Sequence, residues 1–406
     1  MGNIMALFAS PVVSYRKPHV LGFILYFIVG LVDGAIVPFF PLWAQQSAAI
    51  PVEFIGLLFG CYAGGELLAA PFIGGIADRV GRRPVLIISA TGVGVGFIAL
   101  FFTHGVFAAA AVLIVIGLFE SVLHPTIYTV VADATPASEH RRQFSIMRVC
   151  SGAGAIAGPL LGTVLVQEGL GYVFLAGGSV MVAGGLLLAI SLAETRPLAA
   201  GVDDEADDEE GLSALLPAFR DRRLAGVLIW VLLLGVAGSW VEAVMPLYAS
   251  NQMGMSAASI GYLFAFGAGI NTVGQLALTK LFARRSALFI TLSAGLALIA
   301  AFVLLLAHPH VVTLVMAVCL YSLSQMMTGP LIPTAVNKLA PVRLRATYMA
   351  ALSVVSDLQG SVGPATGTAL FALAFTLPWA VGIPLVGLAV TGLGLTLAAG
   401  EKSATR

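Results

Sequence analysis

The residues of this chain that could do chemistry are ionisable side chains set into apolar stretches: Asp33, Glu66, Glu120, Arg148, Glu242 and Asp357, with His124 one turn beyond Glu120. Inside a bilayer a charged side chain costs about 2.5–3.5 kcal/mol on insertion scales, so each is a functional candidate by default. Carboxylates in such places suit proton coupling, because a proton and a substrate can compete for the same group. Asp33 and Glu120 are the first candidates for that role, followed by Asp357, Glu242 and Glu66, and Arg148 is the expected charge partner of the acids. Cys61, Cys150 and Cys319 are far apart, lack metal-ligand spacing and read as buried thiols. The sequence holds no Gly-x-Ser-x-Gly, His-Glu-x-x-His or Gly-Lys-Ser/Thr loop, which argues against an enzyme and against a self-contained ATP-driven pump. No metal, cofactor or nucleic acid is expected. Energy then comes from an ion gradient, or the chain is a passive facilitator.

The elements that carry these residues must lie in lipid. The 406 residues are 59% hydrophobic and 10% charged, with a mean hydropathy of +1.00, far more apolar surface than one soluble core can bury. A spanning helix needs about 20 apolar residues to cross a hydrocarbon core of about 30 Å. Stretches at 20–43, 54–77, 85–103, 107–131, 144–166, 170–193, 224–248, 259–282, 287–307, 311–336, 346–371 and 378–399 meet that requirement. They are apolar throughout instead of alternating, which excludes barrel strands. The expected fold is therefore an all-α integral membrane protein of twelve transmembrane helices.

Basic residues favour cytoplasmic loops. Arg16 and Lys17, then Arg79, Arg82 and Arg83, Arg141 and Arg142, the group Arg196 to Arg223, Lys280 to Arg285, Lys338 to Arg345, and Lys402 and Arg406 all fall on one side of a twelve-span topology. The intervening loops, such as Gln45 to Pro51 and Asn251 to Ser256, carry none. Both termini are expected in the cytoplasm and the chain in the inner, or plasma, membrane, with a retained first helix and no removable signal.

An offset of 205 residues superimposes the two halves without a gap: Pro41-Leu42 falls on Pro246-Leu247, Pro125 on Pro330, Pro136 on Pro341, and Gly158-Pro159-x-x-Gly162-Thr163 on Gly363-Pro364-x-x-Gly367-Thr368. Prolines and glycines fix backbone geometry, so their recurrence predicts one six-helix structure used twice. The halves are 1–196 and 224–406. They are joined by an acidic linker, 197–223, whose Asp203 to Glu210 run has no apolar face to bury and whose Leu212 to Phe219 segment can form a short surface helix.

Two motifs carry a family resemblance. Gly74-Gly75-Ile76-Ala77-Asp78-Arg79-Val80-Gly81-Arg82-Arg83, between the second and third spans, resembles the signature loop of the major facilitator superfamily. Its second-half counterpart is eroded to Leu281-Phe282-Ala283-Arg284-Arg285, without an acid. Gly154, Gly158, Pro159 and Gly162 in the fifth span resemble the motif associated in that superfamily with antiporters. Glycines four apart let another backbone approach closely. The end of the first span, Pro38 to Pro41, and Glu194-Thr195-Arg196 are similar to the twelve-span drug-proton antiporter branch. One departure is clear: Leu113 stands where that branch usually carries an arginine, so no proton relay built on that arginine carries over.

The resemblance implies two pseudo-symmetric halves around a central cavity, alternating access, and a gating role for Gly74, Asp78, Arg79, Gly81, Arg82 and Arg83. It places the ionisable residues on cavity helices and makes Tyr26, Phe39, Trp240, Asn271 and Gln325 candidates for the cavity wall. Gln325 occupies the repeat position of Glu120, and Asn271 that of Glu66. The implied activity is export of a small amphipathic molecule, drug-like or a metabolite such as a siderophore, in exchange for protons by a monomer. Proton-coupled uptake and passive facilitation are the alternatives.

Overall fold

The computed structural model describes residues 18–69, 80–194, 216–282, 285–307, 309–341 and 344–404. The helices follow the apolar runs: α1 Pro18–Ile36, α2 Phe40–Gln46, α3 Val52–Ala69, α4 Arg82–Phe101, α5 Val106–Asp133, α6 His140–Leu165, α7 Tyr172–Ser191, α8 Leu216–Arg220, α9 Arg222–Met253, α10 Ala257–Phe282, α11 Ala287–Ala307, α12 Val311–Leu339, α13 Arg345–Leu373 and α14 Leu377–Ala404. Among the described residues, 11 of these helices are long and apolar enough to cross a membrane. The twelfth expected span is α13, 29 residues long, in which Ser353, Ser356, Asp357, Gln359 and Ser361 interrupt the apolar run. The short α8 lies in the stretch expected to form a surface helix. Most of the acidic linker, with Gly74, Asp78 and Arg79, lies outside the described residues.

The first expected span, 20–43, is two helices instead of one. Pro38 cannot donate the amide hydrogen that a continuous helix needs, and the chain turns at Val37 to Phe39. Pro41 then sits in the first turn of α2, where a missing N–H costs nothing.

The helices form two compact units, one within Met1–Ile36 and Gly64–Glu210, the other within Val37–Ala63 and Gly211–Arg406. In the first, α1 runs along α6 and α4 along α7; in the second, α9 runs along α13 and α11 along α14. The same pairs therefore recur at the 205-residue offset. The stretch Val37–Ala63 packs with the second unit although it precedes the linker. There the Gly56 amide donates to Thr368 Oγ1 at 3.0 Å, and a side chain on Gly56 would fall 2.2 Å from Ala365 Cα.

The α1–α6 contact is made by glycines on both helices. A Cβ on Gly154 would lie 2.4 Å from the Phe27 carbonyl oxygen, and one on Gly158 would lie 2.3 Å from that of Leu31. Reciprocally, a Cβ on Gly30 would meet the Ser151 carbonyl at 2.3 Å and one on Gly34 that of Ala155 at 2.9 Å. Backbones this close leave no room for side chains, so the glycines fix the position of α1, and Asp33 lies between Gly30 and Gly34 on it.

Candidate functional site

The fold of the first unit brings Asp33 of α1 to Glu120 and His124 of α5. One carboxylate oxygen of each acid and a ring nitrogen of His124 all lie within 4.8 Å of one another. Glu120 is 4% exposed, and His124 Nε2 stands 3.6 Å from its Oε1. Glu120, His124 and Tyr128 follow at four-residue spacing, which aligns them on one stripe of α5. Tyr26, two turns before Asp33 on α1, faces the same stripe: its ring meets His124 and Tyr128 edge-on at 5.7 and 5.5 Å, and its hydroxyl lies 3.3 Å from that of Tyr128. Two carboxylates and an imidazole at this spacing can take up and return protons or hold a cation. The sequence shows the four-residue step from Glu120 to His124, but not that Asp33, on a helix far away in the chain, joins them.

Arg148 was expected to be the charge partner of these acids. It is exposed and, among the described residues, makes no ion pair with any of them; the base within reach is His124. Glu66 is half-buried on α3 and lies outside the cluster.

The second unit carries a different arrangement. Tyr321 Oη donates to Glu242 Oε1 at 2.7 Å and accepts from Gln325 Nε2 at 3.0 Å, so one phenol joins the acid of α9 to the amide of α12. Asn271 on α10 and Asp357 on α13 are half-buried. Phe39 and Trp240, expected on a cavity wall, are 0% and 2% exposed and belong to the packing instead. Trp240 fills the space that Gly367 leaves on α13, and its Nε1 donates to Thr366 Oγ1 at 3.0 Å.

The described part of the signature loop ties three helices of the first unit together. Gly81 has φ +102, a conformation that side chains disfavour, and it turns the chain into α4. Glu194, just past α7, accepts the first-turn amides of α4: Arg82 N at 3.1 Å and Arg83 N at 3.2 Å. A carboxylate there meets both the unpaired donors and the positive helix end. Arg82 also pairs with Asp133 at the end of α5, and Arg83 Nη2 donates to the Ala189 carbonyl of α7 at 2.7 Å.

Comparison with known proteins agrees with this architecture. The chain is 22% identical over 362 residues to the MFS-type transporter YhjO of Bacillus subtilis (strain 168), covering 87% of this chain and 86% of that protein. It is 30% identical over 257 residues to the class G tetracycline resistance protein of Vibrio anguillarum, covering 58% of this chain and 60% of the relative. The matches to tetracycline resistance proteins span 30–63% of those proteins' lengths. Among solved structures, the nucleoside transporter NupG superimposes with a TM-score of 0.76 at 16% identity, covering 94% of this chain and 98% of that one. The match of residues 22–364 to the family model, over helices paired as the sequence repeat requires, makes this chain a member of the Major Facilitator Superfamily.

Proposed function

We propose that this transporter exports a small amphipathic molecule in exchange for protons, and that the Asp33–Glu120–His124 cluster carries the proton. The observation that supports this most is the cluster itself: two acids and an imidazole within 4.8 Å, on helices otherwise apolar. Neither acid recurs at the repeat positions Gly238 and Gln325, so the repeated scaffold does not require them. The Glu242–Tyr321–Gln325 chain is the substrate-facing polar group of the second unit, suited to a cationic or zwitterionic ligand. In an alternating-access cycle, the cluster takes a proton as substrate leaves and gives it up as substrate enters, so competition links the two flows. The glycine-mediated α1–α6 contact supports the antiporter reading, and the likeness to tetracycline resistance proteins supports a drug-like substrate. In this reading both termini lie in the cytoplasm, the transporter works as a monomer in the plasma membrane, and the two six-helix halves move about the linker.

The test is uptake into everted membrane vesicles with an imposed pH gradient, acid inside, across a panel that includes tetracycline. Accumulation that collapses when the gradient is dissipated is the expected result. Accumulation driven instead by the reversed gradient, acid outside, would make the protein a proton-coupled importer, and equilibration indifferent to pH a passive facilitator.

A further inference from the structure

Under the 205-residue repeat, the positions that form the ion network of the first unit correspond to positions around a hollow in the second. Asp133 and Glu194, which hold Arg82 and the start of α4, correspond to Lys338 and Ala399, and Arg82 itself corresponds to Ala287. Where the first unit has acids closing on arginines, the second has a base and small apolar residues. A cavity of about 1090 Å³ occupies that place, with Ala287 and Lys338 both in its wall.

Four cations line this cavity: Arg222 and Arg223 at the start of α9, Arg285 just before α11, and Lys338 near the end of α12. All four are exposed, and among the described residues that line the cavity there is no carboxylate. The acid nearest in the chain, Asp221, caps α9 by accepting the Arg223 amide, is bound by the Tyr348 hydroxyl and also interacts with the Arg223 charge, so the cations offered to a ligand are Arg222, Arg285 and Lys338. The amino end of α9 adds its own partial positive charge. The rest of the wall is apolar, with Leu278, Phe282, Ile290 and Leu331 prominent. A concentration of like charge over low-dielectric walls favours an anion, and guanidinium and ammonium groups bind phosphate well.

The two surfaces together specify the ligand. A free phosphate would satisfy the cations and leave the apolar wall uncovered, in a cavity slightly larger than the roughly 300–1,000 Å³ of small-molecule sites. An apolar molecule would cover the wall and leave the charges facing one another. We propose that this cavity seats an anionic phospholipid from the leaflet on the side of the basic loops, its phosphate among Arg222, Arg285 and Lys338 and an acyl chain along α10, α11 and α12. Basic pockets between transmembrane helices are suited to such headgroups. The site is independent of the proton cluster, which lies in the other unit.

The experiment uses the full purified chain in neutral detergent. Phosphatidylglycerol, phosphatidylcholine with the same acyl chains, and inorganic phosphate are added separately, and lipid retention by native mass spectrometry and the thermal unfolding midpoint are read. Phosphatidylglycerol should be retained and raise the midpoint, whereas phosphatidylcholine and phosphate should do neither. The double substitution Arg285→Gln with Lys338→Gln should weaken phosphatidylglycerol retention about thirtyfold, each charge near the headgroup supplying a factor of about five. Lys338→Arg should keep it. Equal retention of the two lipids by the wild-type protein would overturn the proposal, and that comparison holds even if the double variant fails to fold. Retention undiminished in a folded double variant, or a midpoint shift produced by phosphate alone, would overturn it as well.

Discussion

Substituting Gly158 with alanine adds one methyl group where α6 touches α1. That carbon would lie 2.3 Å from the Leu31 carbonyl oxygen and 2.6 Å from the Ala35 nitrogen, both backbone atoms that no rotamer change can move. An ordinary carbon–oxygen contact is about 3.3–3.6 Å, so α6 must retreat from α1 by about 1 Å. Overpacking of this kind costs about 1–3 kcal/mol. Gly360 on α13 is the matched control: a Cβ there meets nothing within 4 Å, so Gly360→Ala should be neutral or stabilise by about 0.5–1 kcal/mol through the lost flexibility of glycine. The two substitutions are chemically identical, yet only Gly158→Ala should destabilise. The assay is the thermal unfolding midpoint of each purified variant in detergent, followed by transport in vesicles. Asp33 sits on α1, whose position this contact fixes, and misplacing a reacting group by about 1 Å can cost about a hundredfold in rate, so Gly158→Ala should lose transport more steeply than stability. A Gly158→Ala protein that unfolds at the wild-type temperature and transports at the wild-type rate would refute the close-contact reasoning.

Two further predictions concern the second unit. Burial opposes ionisation of Asp221, but the Tyr348 hydroxyl, the backbone amides of Arg223 and Leu224 and the Arg223 charge together hold its carboxyl below the usual carboxylate range. A depressed folded value means that its stabilisation is fully present above the unfolded value of about 3.9 and is lost as pH falls through the folded one. Tyr348→Phe should therefore lower stability by about 1–2 kcal/mol at pH 7 and by progressively less below about pH 4; a difference independent of pH would exclude this origin. Tyr321→Phe removes the link between Glu242 and Gln325 and should raise the apparent KM for substrate about tenfold, with the dependence on the pH gradient unchanged. A loss of gradient dependence with KM intact would move the proton to this unit.

The helices were legible in the sequence because lipid demands long apolar runs, and the repeat because proline and glycine positions survive where side chains diverge. The break in the first span had its signal in Pro38, yet hydropathy alone reads straight through it. The glycines of the fifth span announced a close contact, but only the fold identifies α1 as the partner and so connects them to Asp33. Charge in an apolar stretch singled out Asp33 and Glu120. The choice of His124 over Arg148 as their basic neighbour depends on which face of each helix turns inward, and that is settled by packing between helices; the four-residue step from Glu120 to His124 was the available clue. The same limit explains Phe39 and Trp240: an aromatic ring suits a cavity wall and a packed core equally well, and both rings went to the core. Hydrogen bonds between residues distant in the chain, such as Tyr26 to Tyr128 and Tyr321 to Glu242, leave no local pattern to read.

The most direct test of the central claim compares the wild-type protein with Asp33→Asn, Glu120→Gln and the double variant in everted vesicles, at matched expression. With one proton exchanged per substrate, a gradient of one pH unit supports about tenfold accumulation, since each unit is worth about 1.4 kcal/mol. The account predicts that each single variant loses this accumulation while still exchanging labelled for unlabelled substrate across equal pH. Full uphill accumulation by the double variant would contradict it and would place the coupling group outside the Asp33–Glu120–His124 cluster.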